Sequence, residues 1–63
     1  MTYDDAIALV QSWPKDRSVP RKLAEAIADS TGKNALMLGL LVEALTTAAV
    51  SEEDYKLIDK YFE

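Results

Sequence analysis

Cysteine and histidine are both missing from this 63-residue chain. No disulfide can form, the common zinc ligands are gone, and two side chains widely used in nucleophilic and general-base chemistry are absent. Glycine occurs only twice, so a glycine-rich phosphate loop is excluded. Cations are scarce as well: seven Lys and Arg stand against eleven Asp and Glu, for a formal net charge of −4 and an isoelectric point near 4.6. That balance argues against wholesale binding of phosphate backbones, which needs basic surface. The longest apolar-rich run, residues 35–50, is interrupted by Glu43 and falls short of the roughly 20 residues that span a bilayer. The chain starts MTYDD, acidic where an export signal is positive, so the expected compartment is the cytoplasm.

What is present is apolar content of 49% with 29% charged residues, the composition of a folded domain. One all-α domain over residues 1–63 is expected. A chain of this length buries only about 60% of the surface exposed by its unfolded state. Without disulfides or metal, the supplements left are regular helix packing and oligomerisation.

Four short helices are legible. Thr2 is the expected N-cap of the first, 3–12, with Asp4 and Asp5 in the turn where the helix dipole favours negative charge. Tyr3, Ala6, Ile7, Leu9, Val10 and Trp13 share one side at 100° per residue, and Pro14 ends the element. The second helix, 20–31, begins at Pro20 and ends at Gly32 in a left-handed conformation. Leu23, Ala24, Ile27 and Thr31 line its apolar face. The fourth, 52–62, has Ser51 as cap and Asp54 three residues on in a capping-box position. Tyr55, Leu57, Ile58, Tyr61 and Phe62 form its broad apolar face.

The third helix, 35–50 after an Asn34 cap, is the centre. Leu38, Val42, Leu45 and Ala49 form one seam; Met37, Leu41, Ala44 and Ala48 form a second beside it. Only a narrow strip with Gly39, Glu43, Thr46 and Thr47 is left for solvent or a close neighbour. Bulky side chains crowd the first half and Ala and Thr the second, so the aromatics of the last helix are expected to fill the alanine end. The resulting fold class is a compact bundle of four helices around the third. Met37, Leu38, Leu41, Val42 and Leu45 are its core, or a seam shared with another copy. The size argument favours a homodimer.

Reaction machinery is not in evidence. Ser12, Ser18, Ser30 and Ser51 sit near helix ends, where capping explains them. The pairs Asp4-Asp5 and Glu52-Glu53-Asp54 lie in first turns, where dipole complementation does. No catalytic residue, metal ligand or cofactor site is expected. Two features bear on binding. Trp13 beside Pro14 is expected first as a lid over the core edge, with a partner-protein anchor as the second reading. Lys15, Arg17, Arg21, Lys22 and Lys33 gather five of the seven cations into residues 15–33. Together with Trp13, the first four of these make the candidate partner-binding set.

The run LAEAIADSTGKN, with Leu23, Ala26, Ile27, Ala28 and Gly32, resembles the first helical hairpin of the histone-like architectural DNA-binding family, whose subunits dimerise through the helix that follows. The quoted run is about a fifth of the chain, and the resemblance implies minor-groove binding. However, the β-arms of that family are absent, and the third helix carries no Arg, Lys or Gln to reach a base edge. The leading expectation is therefore a non-enzymatic protein-interaction module, a small regulator or inhibitor acting as a homodimer. The alternative is a nucleic-acid accessory protein using the 15–33 cations.

Overall fold

The computed structural model describes residues 1–62. It consists of α1 (Tyr3–Val10), α2 (Val19–Ala28), α3 (Gly32–Ala48) and α4 (Glu52–Phe62), with no strand among the described residues. α3 packs against each of the other three helices, and α2 also touches α1 and α4. The central role expected of the third helix is thus observed, in an all-α bundle.

Local chemistry explains the starts of α1 and α4. The Thr2 hydroxyl accepts from the Asp5 amide at 3.2 Å, satisfying one of the orphan donors of α1. The connector between α1 and α2 closes on Asp16, whose Oδ1 accepts from both the amide (2.9 Å) and the hydroxyl (2.6 Å) of Ser18. These bonds hold the Asp16 carboxyl below its ordinary range. At α4, the Ser51 hydroxyl accepts from the Asp54 amide at 3.3 Å while Asp54 Oδ2 accepts from the Ser51 amide at 3.3 Å. This is the reciprocal capping box that the sequence shows there.

Boundaries shift at the α2–α3 junction. α2 starts one residue before Pro20 and stops at Ala28, three residues short of expectation. Gly32 has the left-handed φ of 56° that only glycine adopts freely, yet it opens α3 instead of closing α2, with Thr31 in the cap position. Asn34 is therefore not a cap. It lies inside the first turn of α3, where its amide donates to the Ser30 hydroxyl at 3.1 Å.

The core gathers Ala6, Trp13, Val19, Leu23, Ala26, Leu38, Leu41, Leu45, Ala49 and Ile58. The radius of gyration is 10.7 Å, against about 10.6 Å for a compact chain of this length. The accessible surface is 4163 Å², where a self-contained folded monomer of this mass exposes about 4,000 Å². The main seam of α3 is accordingly closed by its own chain.

An aromatic from the α1–α2 connector closes on the small-residue end of α3. Trp13, whose peptide bond to Pro14 is cis, is 4% exposed. Its indole N–H donates to the Leu45 carbonyl at 2.9 Å. That carbonyl lacks an intrahelical partner because the Ala49 amide turns back to Thr46 O at 3.3 Å. The indole thus caps an orphan group of a helix C-terminus. From α4, Ile58 enters the core, Leu57 and Phe62 pack half-buried against it, and Tyr55 faces solvent.

Candidate interaction surface

Two places stand out: a clasp that joins the two polar turns, and an apolar side of α3 that nothing covers.

The clasp is built on Trp13. The Arg17 guanidinium lies 4.9 Å from the centre of the indole ring, a stacked cation–π geometry. Its Nη1 donates to the Pro14 carbonyl at 3.2 Å and pairs with Asp54 Oδ1. Asp54 is almost fully buried, and its other oxygen accepts from the Val50 amide at 2.9 Å and from Ser51. One carboxylate therefore ties the α3–α4 turn to the α1–α2 connector. The Val50 amide, followed by the Arg17 guanidinium, lowers the Asp54 carboxyl from 3.8 to about 2. Because the folded value lies below the unfolded one, this carboxylate favours folding above about pH 4, and the contribution disappears as pH falls toward 2. The melting temperature is expected to hold from neutral pH to about pH 5 and to fall between about pH 4 and pH 2. Asp54→Asn should lower it at neutral pH and flatten the acid limb. An acid limb unchanged in Asp54→Asn would mean that the clasp does not couple folding to pH.

The clasp spends its groups on the fold. Among the described residues, no buried side-chain nitrogen or oxygen lacks a hydrogen-bond partner, so no polar group in the interior is left aimed at a ligand. An open groove beside the clasp, lined by Arg17, Glu53, Lys56, Leu57 and Lys60, mixes both signs of charge and has no enclosed polar cluster.

The candidate partner-binding residues differ in burial and in pairing. Trp13 is the lid over the core, not an exposed anchor. Arg17 is held by Asp54, and Arg21 pairs with Glu25 at 3.1 Å along α2. Lys15 and Lys22 are exposed. Of the seam residues, Leu38, Leu41 and Leu45 are buried within the chain, while Met37 and Val42 are half-buried.

Leu36 and Leu40 belong to neither seam of α3. They are 74% and 65% exposed and sit one turn apart on the outward side of α3, in line with exposed Lys33, Glu43 and Thr47. The solvent strip of α3 is therefore this line together with Thr46, whereas Gly39 is half-buried. Leu36 and Leu40 stand seven and three residues before Glu43, so helical spacing places them on the same outward line as that charge.

The chain matches no family model, and no curated protein or solved structure proved similar to it.

Proposed function

We propose that this chain is a non-enzymatic protein-interaction module, a small regulator or inhibitor that works in the cytoplasm as a homodimer by occupying a protein surface. The observation that carries this reading is the exposure of Leu36 and Leu40 one turn apart on one face of α3, where the other exposed large apolar residues, Met1, Val50 and Tyr55, lie singly outside α3. Contiguous apolar surface of this kind marks interaction sites. The hydroxyls and carboxylates nearest to a cluster, those of Ser18, Ser51, Asp16 and Asp54, are engaged in turns and caps, which supports binding over catalysis. No described helix is long and apolar enough to cross a membrane.

The test is retention on immobilised chain from extracts of the cells that make it, with captured polypeptides identified by mass. Polypeptides held by the wild type and lost with Leu36→Glu/Leu40→Glu, at equal helical content, support the reading. Equal retention by both baits, or none by either, overturns it.

The competing reading, a nucleic-acid accessory protein, draws on the +2 balance of residues 15–33 against −2 for 1–14 and −4 for 34–63. Two of its five cations are already paired with carboxylates, which weakens it. No shift of duplex DNA is expected even at low salt, where phosphate contacts are strongest. A salt-sensitive shift abolished by Arg21→Glu/Lys22→Glu would instead favour that reading; both residues are exposed, so the fold should tolerate the change.

A further inference from the structure

We infer that the partner of the outward face of α3 is a second copy of this chain, the two α3 helices lying antiparallel about a two-fold axis at the level of Leu38. This rests on the interaction-module reading and names its partner.

Lys33, Leu36, Leu40, Glu43 and Thr47 are all exposed, and their 3-4-3-4 spacing is the seam periodicity of paired helices. With the axis at Leu38, Leu36 lies opposite the partner's Leu40 and Lys33 lies opposite the partner's Glu43. Two-fold symmetry makes each of these contacts twice. The face is therefore self-complementary in apolarity and in charge together.

Alternative pairings lose one or both matches. A parallel pair in register sets Lys33 on its own copy and Glu43 on its own copy, which is repulsive at both ends. An antiparallel pair moved half a heptad toward the C-terminus sets Leu40 against the partner's Glu43 and Leu36 against the partner's Thr47. Gly39 adds an independent sign. A Cβ there would meet nothing within 4 Å, so the chain's own packing does not require glycine in this helix interior, where glycine is unfavourable. It lies beside the seam at the level of the axis, where a second backbone approaches most closely.

The overlapping stretch, about 13 residues or roughly 20 Å of helix, makes a small interface of the transient kind. A dissociation constant of about 10–100 µM is expected, with the monomer folded on its own.

Sedimentation equilibrium from about 5 to about 500 µM tests this. The wild type should rise from the 7.0 kDa chain mass toward twice that value. Leu40→Glu should stay at 7.0 kDa throughout with an unchanged far-UV spectrum. Lys33→Glu and Glu43→Lys should each weaken the dimer about tenfold at low salt, and the two together should restore it. Rescue by the double exchange is specific to the antiparallel register. A wild type that remains at the chain mass, a dimer that survives Leu40→Glu, or a failed rescue overturns the proposal. If the wild type is monomeric yet retains a different polypeptide through Leu36 and Leu40, self-association and the homodimer of the proposed function fall while the interaction module stands. If it is monomeric and retains nothing, both fall.

Discussion

Trp13→Ala is expected to leave the protein largely unfolded at physiological temperature. Truncating a buried tryptophan costs about 3–5 kcal/mol. A domain of this length has roughly 3–9 kcal/mol of total stability, at about 0.05–0.15 kcal/mol per residue. The substitution removes three things at once: the ring that fills the core edge, the donor that caps the Leu45 carbonyl, and the platform under Arg17. Trp13→Phe separates the first from the second. It keeps an apolar ring and loses the N–H, so it should cost about 1–2 kcal/mol and lower the melting temperature by roughly 5–15 °C. Far-UV circular dichroism with thermal melts checks both. A Trp13→Ala protein that melts within a few degrees of wild type would show that the indole is not part of the core. Since Trp13 is the sole tryptophan, its fluorescence in the wild type reports burial directly: a blue-shifted emission at neutral pH should move to longer wavelength on unfolding.

The second large effect is a contrast within α3. Leu38→Ala should cost about 2–5 kcal/mol, because Leu38 is fully buried. Leu36→Ala and Leu40→Ala, two residues away on either side, should change monomer stability by no more than about 0.5 kcal/mol. The same residue pair is exchanged in the same helix each time, so helix propensity cancels and only burial differs. Denaturant melts at low micromolar concentration, where association does not contribute, measure all three. A Leu36→Ala cost equal to that of Leu38→Ala would mean that α3 is rotated about its axis from the arrangement described.

Much of the fold is carried by local chemistry, and for that reason was legible. The Thr2 and Ser51 caps, the acidic first turns of α1 and α4, the stop near Pro14 and the left-handed Gly32 depend on interactions within four residues. Such interactions are specified by adjacent side chains, so the number of helices, their order and the bounds of α4 follow from the chain alone. Gly32 also marks the limit of that reasoning. Its conformation was readable, but whether it closes one helix or opens the next depends on how closely α2 and α3 follow each other.

The candidate sites were less legible, for a physical reason. Arg17 and Asp54 lie 37 positions apart; neither the cation cluster of 15–33 nor the capping role of Asp54 signals that the two meet. Trp13 offered both a surface anchor and a core lid, and only tertiary packing against Leu45 decided for the lid. α3 shows the same division most plainly. The sequence by itself determined that a helix, expected over 35–50 and observed over Gly32–Ala48, is too apolar to stand in water. Its two seams marked Leu38, Leu41 and Leu45 for burial, but not whether the cover would come from this chain or from a second copy. That choice belongs to α1, α2 and α4, which bury Leu38, Leu41 and Leu45 and leave Leu36 and Leu40 outside.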